Sequence, residues 1–276
     1  MIKIYFQGSF GAYSHIAALE VEPSAEIIPC KTFDECFLKA SQEKDSRIVI
    51  PESNRITGNI GIEYLIFKYR LNIYAELFLK IEHNLLGSPG SSISDVKNVF
   101  SHAQALSQCS NFIKKNNLIE HIRADTAGSA EAISKNKIKS EAAIASSLSA
   151  KTYKLKILAP NIANENSNTT RFLVMGKEVL QPDFTNKKYI TSFLFKLKSK
   201  PAALYQSLSG FAINGINLTK LQSYPEQNSF KSYFFLCDLD GHIEDPKVQK
   251  SLEELGLHCQ DFHVLGVFEA DKFREK

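Results

Sequence analysis

The chain has 276 residues, 43% of them hydrophobic and 23% charged, with a formal charge of +3. That is the profile of a globular protein long enough for two ordinary domains; its scattered lysines argue against a nucleic-acid surface, and no apolar run is long enough to span a bilayer. Five cysteines (30, 36, 109, 237, 259) without a C-x-x-C pair suggest neither a disulfide framework nor a zinc site, and no signal peptide is visible, so a reduced cytoplasmic protein without a metal is expected.

In chain order, a strand over 2–6 leads through a Gly-containing loop to a helix over 13–20, then a strand over 26–29 and a helix over 33–41. A strand over 47–50 ends in Pro51-Glu52-Ser53-Asn54 and a Gly58 loop, before a helix over 60–68 and a long strand over 71–81. Next come a strand over 96–100, a helix over 104–116, a strand over 119–124, and a helix over 129–136 capped by Asp125-Thr126. A strand over 142–145, a helix over 146–153 and a strand over 171–176 close this part. Repeated strand-loop-helix order implies an α/β architecture with largely parallel sheets. The polar, Pro-bearing run 180–188 reads as a linker. Beyond it a strand (189–196), helix (202–213), two strands (217–223, 229–239), helix (246–255) and strand (257–268) give the ferredoxin-like βαββαβ order.

Loops after parallel strands gather helix N-termini with free N–H groups, so polar side chains there mark candidate ligand sites. Four junctions qualify: Gly8–His15 with Ser14, the 51–58 loop with Ser53, Asn54 and Arg55, the 101–108 segment with Ser101, His102, Gln104 and Gln108, and Asp125-Thr126. Helix capping alone accounts for any one of them. Thr170-Arg171-Phe172 adds a proton donor, a cation and an apolar wall on consecutive residues, which suits a small, multiply carboxylated ligand. Ser101 and His102 are not read as a nucleophile pair, because neighbours on an extended segment point opposite ways. Neither a G-x-G-x-x-G nor a Walker pattern is present, so no nucleotide cofactor is expected.

These segments resemble, in order, those of the prephenate dehydratase family. Gly8–His15 is similar to its G-x-x-G-[ST]-Y-S opening, and Ser101-His102-Ala103-Gln104-Ala105-Leu106-Ser107-Gln108-Cys109 to its S-H-P-Q-A-L-x-Q-C run. Asp125-Thr126-Ala127, Ala142–Ser146, and Asn168-x-Thr170-Arg171-Phe172 complete the order, and Asn217–Pro225 resembles the N-L-T-K-I-E-S-R-P run of its C-terminal ACT domain. The resemblance implies a two-lobed, periplasmic-binding-protein-like catalytic domain over 1–182 (lobes of about 1–75 with 160–178, and 80–158) followed by an ACT domain over 189–270. It implies the single-function form, with no mutase helix ahead of Met1, and a homodimer or homotetramer. It implies conversion of prephenate to phenylpyruvate, water and carbon dioxide in phenylalanine biosynthesis, without a metal or organic cofactor. Catalysis then falls to Thr170 as proton donor, with Ser101, Gln108 and Asn54 as neutral hydrogen-bonding groups. Substrate contacts fall to Arg171, Phe172, Ser14, Ser53, Arg55, His102 and Thr126, with Arg171 either pairing a carboxylate or buttressing the pocket. L-Phenylalanine as effector would meet Ala203, Leu204, Asn214, Gly215, Asn217 and Leu218.

The sequence departs from that family at several points. Ser53 and Arg55 stand where the family has Glu and Ser, and Glu52 lies one residue early, on the opposite face of an extended segment. Gln222 and Tyr224 replace Glu and Arg, which is expected to remove an ion pair or anchor in the ACT domain. Arogenate dehydratase is the enzymatic alternative, and a catalytically decayed amino-acid-binding ACT protein the non-catalytic one. A solute-binding protein follows from the two-lobed pattern alone, against which stand the absent secretion signal and the appended ferredoxin-like part.

Overall fold

The elements of the computed structural model, which describes residues 2–226 and 232–275, begin with β1 (Lys3–Gln7), α1 (Tyr13–Val21), β2 (Glu26–Cys30), α2 (Phe33–Gln42), β3 (Ser46–Asn54) and β4 (Gly58–Asn59). They continue with α3 (Glu63–Tyr69), β5 (Asn72–Lys80), β6 (Asn84–Gly87), β7 (Asn98–Ser101), α4 (Ala103–Gln108), α5 (Ser110–Lys115), β8 (Ile119–Ile122) and α6 (Thr126–Asn136). Then follow β9 (Glu141–Ala145), α7 (Ser147–Thr152), β10 (Lys156–Ala159) and β11 (Thr169–Gly176). The chain ends with β12 (Tyr189–Leu197), α8 (Ala203–Asn214), β13 (Leu218–Pro225), β14 (Tyr233–Asp240), α9 (Pro246–His258) and β15 (Cys259–Glu269). Two compact units emerge: Met1–Cys36 with Ile48–Ile60 and Leu77–Phe172, and Phe37–Arg47 with Gly61–Glu76 and Leu173–Lys276. The expected linker at 180–188 lies inside the second unit.

Among the described residues the strands form three sheets: β2-β1-β3-β11-β5 with β4 on β3, β10-β6-β9-β7-β8, and β13-β14-β12-β15. The first starts as expected, with β1 parallel to β2. The second is mixed rather than largely parallel: β7 runs parallel to β8 and β9, while β6 is antiparallel to β9 and β10 to β6. Those two antiparallel strands are the ones without a sequence signal, four residues each. Both faces of the second sheet are covered. Leu85, Val99, Ala142 and Ile144 pack with Leu106, Cys109 and Ile113 on one side. Leu86, Ala143 and Ala145 pack with Ala130, Ile133 and Ala150 on the other. Alternate residues of one strand thus serve opposite cores, which is why 142–145 reads as a continuous apolar run.

Two further differences bear on the site. The strand expected over 47–50 extends to Asn54 and turns into a hairpin in which Ser53 pairs with Asn59 and Asn54 with Gly58. The helix expected over 104–116 is broken at Cys109 (φ −113°, ψ 14°). The Gln108 carbonyl accepts from Asn164 N–H at 2.7 Å, so it is taken from outside the helix. That capture leaves Gln108 at a helix end instead of mid-helix.

In the second unit β12-α8-β13-β14-α9-β15 is the expected βαββαβ order, with an antiparallel sheet whose one face carries Phe193, Phe195, Cys237 and Leu239 against Phe211, Val248, Leu252 and Leu255. Positions 229–231 of the strand expected over 229–239 lie outside the described residues. Gly266 is required in β15: a Cβ there would sit 2.1 Å from the Ile73 carbonyl oxygen. The anchor expected to be lost with Gln222 and Tyr224 is present in another form. The buried Glu63 carboxylate accepts from Gln222 Nε2 at 2.7 Å and from the Tyr224 hydroxyl at 2.5 Å. Ala202, the residue before α8, is left-handed (φ 60°, ψ 12°), a conformation that favours Gly. A left-handed L-residue costs about 1–2 kcal/mol, part of which the looser unfolded state of Gly would offset. Ala202→Gly is therefore expected to stabilise the protein by about 0.5–1 kcal/mol, read as a higher urea midpoint.

Candidate functional site

The first unit carries a cleft of about 460 Å³. Its walls come from the start of α1 (Tyr13, Ser14), the end of β3 and its hairpin (Pro51, Asn54, Thr57, Asn59), the turn into α4 (His102, Gln104, Gln108), the cap of α6 (Asp125, Thr126), His83, and the strand bearing Asn168, Thr170 and Phe172. No Lys or Arg is among the described residues that line it, and Asp125 is its one carboxylate. An anion in the cleft would therefore meet neutral donors and helix N-termini.

Its centre is a chain of side-chain amides. Asn54 Nδ2 donates to Thr170 Oγ1 and to Asn168 Oδ1, both at 2.8 Å. Asn168 Nδ2 donates to Gln108 Oε1 at 2.9 Å, and His83 Nε2 lies 2.9 Å from that same oxygen. Tyr13 closes the series, its hydroxyl 2.9 Å from His83 Nδ1 and 2.8 Å from the Glu82 carbonyl. Burial pulls the His83 imidazole below its ordinary range, opposed by the bond to Gln108, and pushes the Tyr13 phenol well up, helped by Cys109 and Glu82. At neutral pH both rings are uncharged.

The backbone beneath is tightly fixed. Arg55 N–H donates to the Thr169 carbonyl at 2.9 Å, tying the hairpin to β11, and Ile81 N–H donates to the Asn168 carbonyl at 2.9 Å. The Gly11 carbonyl accepts from Ser146 Oγ at 2.5 Å and Ser149 Oγ at 2.9 Å. Gly11 has φ +90°, and a Cβ there would meet Ser149 Oγ at 2.7 Å and Ser149 Cα at 2.8 Å, so the position accepts only Gly. Asp125 caps α6 by accepting from Gly128 N–H at 2.6 Å. His102 caps α4, its Nδ1 accepting from Gln104 N–H at 3.3 Å.

Of the expected catalytic and substrate-binding residues, Thr170, Gln108, Asn54, Phe172, Ser14, His102 and Thr126 line this cleft. Ser101, Arg171, Ser53 and Arg55 do not. Ser101 is fully buried and donates to the Ile144 carbonyl at 2.6 Å, because it points into the sheet at the end of β7. Arg171 faces away from Thr170 and Phe172 by strand alternation; it is buried, with Nη1 3.4 Å from Glu52 Oε2. Ser53 Oγ donates to that carboxylate at 2.8 Å. Arg55 is exposed.

Of the expected effector contacts, Ala203 and Leu204 line a separate cavity of about 820 Å³ in the second unit, with Lys198, Lys200, Tyr233 and Phe235. Asn214, Gly215, Asn217 and Leu218 do not line it. Asn214 Nδ2 instead donates to the Gly210 carbonyl at 2.8 Å and to Ser251 Oγ at 3.1 Å, and Asn217 Nδ2 donates to Asp240 Oδ2 at 2.7 Å. Gly215 ends α8 with φ +69°, and Leu218 opens β13 opposite Leu239.

The family model for prephenate dehydratase matches residues 4–179. The bifunctional N-acyl-homoserine lactone acylase/prephenate dehydratase of Komagataeibacter europaeus is 34% identical over 99% of this chain and 98% of its own length. This chain belongs to the prephenate dehydratase family. Arogenate dehydratase 2 of Petunia hybrida is 36% identical over 98% of this chain and 72% of its own length. Among solved structures, the prephenate dehydratase of Arthrobacter aurescens in complex with L-Phe superimposes with a TM-score of 0.88 at 27% identity, over 97% of this chain and 90% of the other.

Three members of the hydrogen-bonded series were not singled out from sequence: Tyr13, His83 and Asn168. Asn168 opens the motif that contains Thr170, so its position was a usable signal. His83 precedes a short strand that carried no periodicity, and a lone His there has no signature.

Proposed function

We propose that this family member converts prephenate to phenylpyruvate, with the cleft as its active site and Thr170 as the group that assists departure of the ring hydroxyl. What supports this most directly is the 2.8 Å contact from Asn54 Nδ2 to Thr170 Oγ1. Because Thr170 accepts from Asn54, its own proton is left for a ligand, and the donated bond makes that proton more acidic. The ring C–O bond breaks as the hydroxide gains a proton and leaves as water. The electrons of the C–C bond to the ring carboxylate flow into the ring, which becomes aromatic, and carbon dioxide departs. A cleft without Lys or Arg suits that second loss, since a tightly paired carboxylate would be held back from decarboxylation. Gln108, Ser14, His102 and Thr126 would supply hydrogen-bonding contacts and Phe172 an apolar wall. Incubation of the purified chain with prephenate, with the spontaneous acid-catalysed background subtracted, is expected to yield phenylpyruvate. No product above background refutes the reading.

Arogenate is the second substrate reading, and Asp125 favours it: the lone carboxylate of the lining could meet the ammonium group that arogenate carries and prephenate lacks. Comparing kcat/KM for the two substrates in wild type and Asp125→Asn decides it. If arogenate is the substrate, the variant loses about tenfold or more on arogenate relative to prephenate, and an unchanged ratio removes the reading. Asn preserves the cap of α6, so folding is not at stake.

The same proposal takes 1–182 as the catalytic part and 189–270 as an ACT domain, in a cytoplasmic homodimer or homotetramer. No helix among the described residues is long and apolar enough to cross a membrane. L-Phenylalanine is proposed to enter the cavity at Ala203 and Leu204, with its ring toward Phe235 and its carboxylate toward Lys198 or Lys200. Calorimetry with L-phenylalanine tests this; no heat at millimolar ligand excludes it.

A further inference from the structure

The direction of every hydrogen bond in the cleft's amide series follows from one fixed end. Asn54 Oδ1 accepts from the backbone N–H groups of Ile56 (3.0 Å) and Thr57 (3.1 Å), so the opposite side of that amide is its NH2. Asn168 Oδ1 and Thr170 Oγ1 must therefore both be acceptors. With its oxygen so used, Asn168 presents Nδ2 to Gln108, whose facing atom must be Oε1. An amide oxygen only accepts, so the ring nitrogen 2.9 Å from it, His83 Nε2, carries a proton. Nδ1 of neutral His83 is then a lone pair, and it shares the single proton of the Tyr13 hydroxyl with the Glu82 carbonyl 2.8 Å from that oxygen.

The other tautomer has a definite consequence. A proton on Nδ1 would place an Nε2 lone pair against Gln108 Oε1. Relief would require Gln108 to turn over, then Asn168, then Asn54. Asn54 would finally present its oxygen to Thr170, at the cost of setting its NH2 against the Ile56 and Thr57 N–H groups, and Thr170 would donate inward and lose the proton it holds for a ligand. The ring's protonation site and the direction of the Thr170 proton are therefore coupled across four side chains.

We propose that His83, held as its Nε2–H form with Tyr13 behind it, is a positioning residue that keeps Gln108, Asn168 and Asn54 turned so that Thr170 points its proton into the cleft. This rests on the reading that Thr170 serves the leaving hydroxyl, but its first test does not. Nitrogen NMR of the full-length, ¹⁵N-histidine-labelled protein at neutral pH, with His83 assigned through His83→Gln, is expected to show a protonated Nε2 and a bare Nδ1. A protonated Nδ1 in neutral His83 overturns the proposal.

Kinetics supply the second test. His83→Ala is expected to lower kcat for the accepted substrate about 10²-fold with KM little changed, the scale set by loss of reactive-group alignment. His83→Gln, whose amide N–H can donate where Nε2–H did, is expected to recover about tenfold of that loss. A merely structural role would not produce this rescue together with a kcat-specific defect. Equal kcat in all three proteins overturns the proposal. Should His83→Ala fail to fold, His83→Gln against wild type and the NMR measurement decide: kcat more than about 10²-fold down in a folded His83→Gln overturns it. A wild type inactive on both prephenate and arogenate refutes the functional reading instead, and the tautomer remains measurable.

Discussion

Thr170→Val is expected to lower kcat by about 10²–10⁴, the usual worth of a positioned proton donor, while leaving the protein folded. Valine keeps the branched shape near the start of a strand that is buried along its whole length, so packing is preserved. The polar cost is small. Asn54 Nδ2 loses one of two acceptors but retains Asn168 Oδ1 at 2.8 Å, which limits the penalty to about 1–2 kcal/mol. Thr170→Ser keeps the hydroxyl and is expected to stay within about tenfold of wild type. Initial rates of phenylpyruvate formation at saturating substrate read both variants. A Thr170→Val protein within threefold of wild type would mean that the hydroxyl takes no part in the chemistry.

The α/β organisation and the C-terminal βαββαβ order were legible because hydrophobic period and breakers repeat along the chain. Asn54, Gln108 and Thr170 were legible as candidates because each lies in a short motif at the end of a strand or start of a helix. Which of their neighbours share the cleft was not legible. β11 is buried at all eight positions, so alternation of burial offered no guide to which residues face the cleft. Thr170 and Phe172 line the cleft, whereas Arg171 between them does not. β7 alternates half-buried and buried, and its parity turns Ser101 inward. Tyr13 and His83 meet across 70 positions of sequence, and Gln108 meets His83 across 25. Contacts of that kind are products of the tertiary fold and leave no local pattern.

Arg171 carries the second large expectation, which concerns stability. A guanidinium next to the hydroxyl proposed to be catalytic invites the reading that it clamps a substrate carboxylate, yet the structure pairs it with Glu52. The two side chains are 8% and 1% exposed, and Glu52 also accepts from Ser53 Oγ at 2.8 Å. Removing one member of a buried pair strips a charge of compensation that water cannot restore, so Glu52→Leu is expected to cost about 3–5 kcal/mol. At roughly 2–4 °C per kcal/mol for a chain of this size, the melting temperature should fall by roughly 10 °C. Replacing both members with apolar groups, as in Glu52→Leu with Arg171→Met, should cost less than either single change, because no buried charge then remains. Thermal melts of the four proteins measure this. The clamp reading predicts the opposite: Arg171→Met would melt near wild type and raise KM with little change in stability. If the double variant is less stable than the sum of the single changes, mutual compensation is not what holds the pair, and Arg171 must be assigned to the ligand after all.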